Sequence, residues 1–168
     1  MRNSAPSPAG AISAMAASRS CGATAERGHM SDKAASIPRP LPKLEGATGQ
    51  FYDWCRKGEL RFQRCTSCGT FRHPPRELCA ECRSFDWEWT RSPGEGTVFT
   101  YTIVERALHP AFAGATPYAA VVVEFPEGVR LLSRIVGLAP AEIRIGMPVR
   151  VDFEAFSETV TVPVFRLR

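Results

Sequence analysis

Several features that would indicate a function class are missing from the sequence. No apolar run approaches the length of a membrane-spanning helix, and the weakly apolar Ala9–Ala17 segment lacks the strength of a signal peptide. We therefore expect a cytoplasmic protein. Paired carboxylates, a Ser/His/Asp set and a glycine-rich phosphate loop are missing as well. The chain is consequently not expected to be a free-standing enzyme.

The front of the chain also lacks the residues that build a core. Residues 1–46 contain no Phe, Trp or Tyr and are rich in Ala, Ser, Gly and Pro, which predicts a disordered tail with Met30 as an alternative translation start. Beyond that tail, the chain has no large excess of positive or of negative residues. Residues 1–50 hold six Lys/Arg against three Asp/Glu, whereas residues 51–168 hold 15 against 14. This near-neutral balance argues against a broad polyanion-binding face.

Two closely spaced cysteine pairs are the most informative feature that is present. Each pair has C-x-x-C spacing, which lets two thiolates reach one ion, and the ten residues between the pairs allow a hairpin that brings them together. Four thiolates fill a tetrahedral site and leave no position for water. We therefore predict a structural zinc held by Cys65, Cys68, Cys79 and Cys82, with iron in the same cage as the main alternative.

The other candidate ligands receive structural interpretations. His73 lies in the loop between the cysteine pairs, and with four cysteines present we interpret it as a surface loop histidine. Cys55 falls in a predicted helix without a Cys/His set that would activate it, so we interpret it as a small buried apolar residue. Disulfide pairing is disfavoured because a convincing secretion signal is missing.

Residue patterns beyond the tail predict a mainly β fold. Apolar residues at i, i+3 and i+4 (Phe51, Trp54, Cys55) predict a short helix from Thr48 to Lys57. Five β-branched segments follow the cysteine pairs, at 96–106, 117–125, 129–137, 149–156 and 159–168. Five strands with an irregular insertion between the third and fourth favour an OB-fold barrel over a β-sandwich. The predicted organisation is a disordered tail over 1–46, a helix plus zinc ribbon over 47–92 and a five-stranded OB-fold barrel over 93–168.

Alternating aromatic residues in two segments predict which faces of the strands are covered. Phe85, Trp87 and Trp89 alternate after the second cysteine pair, and we expect them to cover a ribbon that is too small to have a core of its own. Strict alternation in the first barrel strand places Tyr101 on the face opposite Val98.

The order of these elements resembles a known family. The matching stretches are GELRFQRC at 58–65, PPR at 74–76 with Cys79 and Cys82, SPGEGTV at 92–98, TYTIV at 100–104, PY at 117–118, IGMPV at 145–149 and VPVFR at 162–166. They resemble the acyl-CoA-associated OB-fold proteins with a rubredoxin-like zinc ribbon, known as domain of unknown function 35 (DUF35). The resemblance covers residues 46–168.

The resemblance implies a non-catalytic accessory subunit. It would bind acyl-CoA, or stabilise a thiolase-like enzyme or an acyl-CoA hydratase as a hetero-oligomer, in lipid, steroid or polyketide-type metabolism. Arg64, Arg72 or Arg76 near the ribbon are candidates to hold the CoA phosphates, although a solvated arginine is the simpler interpretation of each. An active site shared with the partner would draw on Tyr118 and His109, which are more simply barrel and loop residues.

Two functions of other classes stay open on the residues alone. An OB-fold with Phe99, Tyr101 and Phe125 could stack on single-stranded nucleic acid, but the region beyond the tail supplies little positive charge for it. Iron in the four-thiolate cage would make a rubredoxin-like electron carrier, which the colour of the purified protein would reveal.

Overall fold

The computed structural model of the chain describes residues 39–168, so the disorder predicted for residues 1–38 lies outside the described part. A helix, α1 (Gly46–Arg56), precedes a three-stranded sheet of β1 (Arg61–Cys65), β2 (Phe71–Arg72) and β3 (Trp87–Arg91). A five-stranded sheet then contains β4 (Glu95–Val104), β5 (Tyr118–Glu124), β6 (Arg130–Ser133), β7 (Pro148–Ala155) and β8 (Thr161–Leu167). Single 3₁₀ turns lie at Pro110–Phe112 and Pro140–Glu142. The mainly β prediction is confirmed.

The helix α1 forms as the apolar pattern predicts, within two residues at each end. Phe51 and Cys55 are 5% and 1% exposed and face the core. Trp54 is half-buried, and its ring lies under the guanidinium of Arg61 at 3.8 Å. Gly58 has a φ of 73° and ends the helix, because this left-handed conformation suits glycine. No helix within residues 39–168 is long and apolar enough to cross a membrane.

The five-stranded sheet curls into an OB-fold barrel. Its strands lie in the order β6-β5-β4-β7-β8, and all neighbours are antiparallel. The two edges meet at a parallel bridge between Ile135 and Phe165, where the amide of Val136 donates to the carbonyl of Phe165 at 2.8 Å. Valines from β5 and β7 and Phe165 fill the interior without exposed surface. Closure of this kind leaves few unpaired edges.

A β-bulge in β4 corrects one sequence prediction. Strict alternation placed Tyr101 opposite Val98, but Val98 is 1% exposed and Tyr101 packs against the same core. The pairing of β4 with β5 shifts between Val98 and Thr100, so the extra residue Phe99 reverses the faces beyond it. The prediction was wrong because alternation alone does not register an inserted residue.

The three-stranded ribbon is fixed onto the barrel. The ring of Phe62 is fully buried and packs edge-on against Phe125 at 5.1 Å, so the two sheets share one core. The connection passes through Gly94, whose φ is 76° and where an added Cβ would lie 2.3 Å from a methyl of Val151. Glycine is therefore required at this junction. The boundary placed at residues 92 and 93 stays a prediction.

The aromatic cover of the ribbon forms in part. Trp87 and Trp89 are half-buried, and their rings meet edge-on at 5.4 Å. The indole Nε1 of Trp89 donates to Gln50 Oε1 at 2.7 Å, which ties β3 to α1. Phe85 is 70% exposed, so it does not share in the predicted cover.

Candidate metal centre and binding groove

Both cysteine pairs lie in tight turns of the same geometry. The amide of Gly69 donates to the carbonyl of Cys65 at 2.9 Å, and the amide of Arg83 donates to the carbonyl of Cys79 at 3.0 Å. Gly69 and Arg83 both have positive φ, at 77° and 62°. The repeated turn aims the thiols of each pair toward the other pair.

The four thiols converge in a way that fits zinc. Cys65 Sγ lies 3.5 Å from Cys82 Sγ, and Cys68 Sγ lies 3.6 Å from Cys79 Sγ, with all four sulfurs within 4.8 Å of one another. A Zn–S bond of about 2.3 Å implies sulfurs about 3.8 Å apart in a tetrahedron. These distances are far longer than a disulfide bond, and all of these cysteines are free. The donor set is closed, which suits a structural ion.

Backbone amides favour the thiolate form at the first cysteine of each pair. The amide of Cys68 is the main cause that lowers the pKa of Cys65, and the amide of Cys82 does the same for Cys79. Hydrogen bonds to a charged form stabilise it relative to the neutral thiol. The turns therefore prepare these sulfurs as metal ligands, since only the thiolate binds the ion.

The matched turns give a first prediction. Arg83 occupies a left-handed conformation that costs a residue with a side chain about 1 kcal/mol. Arg83→Gly is expected to raise the free energy of unfolding by up to about 1 kcal/mol. Gly69→Ala is expected to lower it by about the same amount, because an added Cβ makes no contact closer than 3.7 Å and only the backbone conformation is strained. Urea titrations of the zinc-loaded proteins measure both, and shifts in the same direction would contradict this account.

The interpretation of His73 as a surface histidine is wrong. Its ring packs against Phe51 at 4.9 Å and against Phe62 at 5.7 Å, between the helix and the ribbon. Burial removes water from the ring and lowers the pKa of His73 to about 4. The histidine is thus a neutral packing residue and not one of the converging ligands. Cys55 is buried as predicted, and burial raises the pKa of its thiol to about 12.

A groove of about 680 Å³ lies where α1, the ribbon loop and the barrel meet. Its walls come from α1, residues 73–75 and strands β5, β6 and β8. Aromatic rings of Phe51, Tyr52, Phe112, Tyr118 and Phe156 contribute much of the lining. The charged groups in it include the ion pair of Arg134 and Glu154, joined at 2.5 Å, and Arg39, which stacks on Phe112 at 5.4 Å. The groove suits an elongated, mainly apolar ligand.

One of the two candidates for a shared active site lines the groove. Tyr118 lines the groove, whereas His109 is exposed on the preceding loop. There the His109 Nδ1 accepts a hydrogen bond from the amide of Ala111 at 3.2 Å and caps a 3₁₀ turn. Arg64 is half-exposed and lies 3.7 Å from Glu88, in keeping with the solvated interpretation.

The aromatic residues proposed for base stacking do not form one exposed surface. Phe125 is 2% exposed inside the core, and Tyr101 packs against that core. Phe99 remains partly exposed, but the guanidinium of Arg130 covers its ring at 3.4 Å. These positions give no support to single-stranded nucleic-acid binding, which needs a run of accessible rings.

Comparisons with known proteins agree with the geometry. Residues 55–88 match the rubredoxin-like zinc ribbon domain of ChsH2, and residues 89–154 match the ChsH2 C-terminal OB-fold domain. The zinc ribbon match and the converging thiols together support a structural zinc.

Three relatives define the likeness further. A probable enoyl-CoA hydratase alpha subunit of Thermomonospora curvata is 40% identical over 76% of this chain, which spans only 40% of that relative's length. A DUF35 domain-containing scaffold protein of Methanocaldococcus jannaschii is 36% identical over 56% of this chain and 67% of its own. The solved structure of an Ltp2-ChsH2(DUF35) aldolase has a chain that is 38% identical, with a TM-score of 0.69 over 76% of this chain and 98% of that one. The chain therefore belongs to the DUF35 family, in which a ChsH2-type rubredoxin-like zinc ribbon precedes an OB-fold domain.

Proposed function

We propose that the chain is a non-catalytic accessory subunit that binds acyl-CoA and stabilises a thiolase-like enzyme or an acyl-CoA hydratase in the cytoplasm. The groove between α1, the ribbon and the barrel is the observation that carries this proposal. Its volume of about 680 Å³ and its aromatic walls suit an acyl chain with part of the pantetheine arm. Relatives named as a hydratase subunit, a scaffold and an aldolase complex support the same class of role.

In this proposal the metal has a structural role. Cys65, Cys68, Cys79 and Cys82 are its ligands, and they leave no open position at which substrate could bind. The ion holds the ribbon together, and the ribbon supplies residues 73–75 to one wall of the groove. The metal therefore shapes the ligand site without touching the ligand.

The groove predicts that affinity depends on the length of the acyl chain. Each methylene that leaves water contributes about 0.8 kcal/mol, or about a fourfold decrease in Kd. Calorimetric titration of the full chain with CoA and with acetyl-, butanoyl- and hexanoyl-CoA measures this dependence. Ala120→Phe narrows the groove at β5 and is expected to remove most of the dependence of Kd on acyl-chain length.

A matched control separates the groove from general effects. Ala141 is exposed on the second 3₁₀ turn, and Ala141→Phe adds the same ring away from the groove. This variant is expected to keep the wild-type dependence. If the wild type binds CoA and hexanoyl-CoA with equal affinity, the groove does not bind the acyl chain.

The partner role has its own test. Co-expression with a thiolase-like enzyme or an acyl-CoA hydratase encoded beside this chain is expected to give a stable hetero-oligomer. The partner's solubility or activity is expected to fall when the chain is omitted. A chain that stays monomeric and leaves both properties unchanged would contradict the accessory role.

A further inference from the structure

A glutamine is buried in the centre of the ribbon sheet and organises an arginine beside it. Gln63 has no exposed surface, and its Oε1 accepts hydrogen bonds from Arg72 Nε at 2.9 Å and from the Arg76 amide at 2.7 Å. Gln63 and Arg72 are also directly paired across β1 and β2. These contacts fix the Arg72 guanidinium through its Nε edge and leave the two terminal nitrogens for another partner.

Those terminal nitrogens are buried donors that lack an acceptor. Arg72 Nη1 and Nη2, together with Gln63 Nε2, find no hydrogen-bond partner anywhere in residues 39–168. An arginine keeps its charge at any ordinary pH, so it cannot relieve this cost by losing a proton. A buried cation without a counter-charge is strongly unfavourable. The solvated interpretation of Arg72 is therefore wrong, and its buried end calls for an anionic acceptor.

Arg72 lies on the wall of a second cavity. Most of the residues that line this cavity do not line the acyl groove. The cavity has a volume of about 380 Å³ and lies between the ribbon loop and the β5–β6 turn. Three of its lining residues are arginines, Arg72, Arg76 and Arg130, and Arg130 is held in an ion pair with Glu124 at 2.9 Å. Glu81 and the metal ligand Cys79 also line the cavity, so the group that calls for an anion is the unpartnered guanidinium of Arg72 and not the overall charge of the lining.

We propose that Arg72, positioned by Gln63, binds an oxyanion, the carboxylate or phosphate group of a ligand that enters this cavity. The free end of a guanidinium presents two parallel donors, which match two oxygens of either group. Gln63 does not line the cavity itself, and its Oε1 holds the Arg72 guanidinium in place through the Nε edge. The cavity shares only His73 and Pro74 with the lining of the proposed acyl groove, and Ala120 and the barrel wall of that groove are not part of it.

The test uses the zinc-loaded full chain with simple anions. Inorganic phosphate and acetate are titrated at constant ionic strength in chloride buffer, and binding is followed by calorimetry. Saturable binding of at least one anion is expected in the wild type. Arg72→Met keeps an unbranched apolar side chain without the guanidinium donors and is expected to weaken that binding at least tenfold.

Arg91→Met is the matched control, because Arg91 is exposed on β3 of the same sheet. It removes the same charge and is expected to bind the anions as the wild type does. The preferred anion identifies the source: saturation by phosphate alone points to a phosphate ester, and saturation by acetate points to a carboxylate. The absence of saturable binding by either anion, or equal binding by Arg72→Met, would overturn the proposal.

A second measurement on the wild type does not depend on the folding of a variant. The side-chain ¹⁵N resonance of Arg72 Nε is expected to shift on anion titration with the calorimetric affinity, while that of Arg91 does not. An unchanged Arg72 resonance at saturating anion would also overturn the proposal. Ala120→Phe should leave both results intact, so failure of this site and failure of the acyl groove are distinguishable.

Discussion

Cys79→Ser is expected to lose the metal and unfold the ribbon. Cys79 is 1% exposed, and its sulfur lies 3.6 Å from that of Cys68 in the converging set. The ribbon has strands of only five, two and five residues, too few to build a core of their own. Structural zinc contributes about 10 kcal/mol or more to the folding of comparably small modules. Losing one ligand therefore removes the main source of stability for β1–β3.

Metal analysis and hydrogen exchange measure this outcome together. We expect metal content to fall below about half an equivalent, and amides of β1–β3 to exchange as in an unfolded chain. The barrel is expected to keep its own strand pairing. It should lose a smaller amount of stability, because Phe125 no longer packs against Phe62 once the ribbon unfolds. Cys55→Ala is the control, because Cys55 is buried in α1 outside the metal set. It should retain a full equivalent of zinc.

Two results would contradict a structural role for the metal. One is a Cys79→Ser protein that keeps its fold and its metal but loses the ability to support the partner enzyme. The other is a red wild-type protein with a full equivalent of iron, since that would favour an electron carrier. A colourless protein with zinc is expected.

The sequence was sufficient for the features that depend on local spacing. The C-x-x-C pairs predicted four converging thiols because each pair needs only its own turn and a hairpin between the pairs. The element order predicted the OB-fold, because β-branched segments and turn residues alternate along the chain. Arg83 was missed as the counterpart of Gly69, since an arginine gives no sequence signal for a positive φ.

Burial that arises from distant elements was not predictable from one sequence. His73 is enclosed by Phe51 from α1 and Phe62 from β1, which lie 22 and 11 residues away in the chain. The Arg72 guanidinium is held by the buried Gln63 at 2.9 Å, and its terminal nitrogens are buried as well, which no periodic pattern in the sequence indicates. From the sequence alone, a polar residue in a loop is predicted to be exposed, because the sequence does not show which distant element packs over it. This is why the groove and the oxyanion cavity emerge only from the structure.

Because His73 is half-buried against two aromatic rings, its removal is expected to change how stability depends on pH. The folded-state pKa of about 4 lies below the usual value of 6.5. Between these values the unfolded chain binds a proton that the folded chain does not, so stability falls as the pH falls from 6.5 to 4. A difference of this size corresponds to about 3 kcal/mol at the acid end of the window, and to no contribution above pH 7.

His73→Phe keeps an aromatic ring against Phe51 and Phe62 and removes the titrating group. The variant is expected to unfold with nearly wild-type free energy at pH 7.5 and to be more stable than the wild type by about 3 kcal/mol near pH 4. Acid also protonates the thiolates and releases zinc, but it does so in both proteins. The difference between their urea-unfolding free energies, measured from pH 7.5 to pH 4, therefore isolates His73.

An exposed histidine provides the control for this measurement. His109 lies on the loop before β5, and His109→Gln should follow the wild-type curve at every pH. If His73→Phe also follows that curve, the ring of His73 is solvated in the folded protein and the packing of the helix against the ribbon is looser than described. If the stability of His73→Phe instead depends less on pH than that of the wild type, the ring of His73 is shielded from water where the helix, the ribbon loop and β1 meet. That contact is the shared wall on which both the acyl groove and the oxyanion cavity depend.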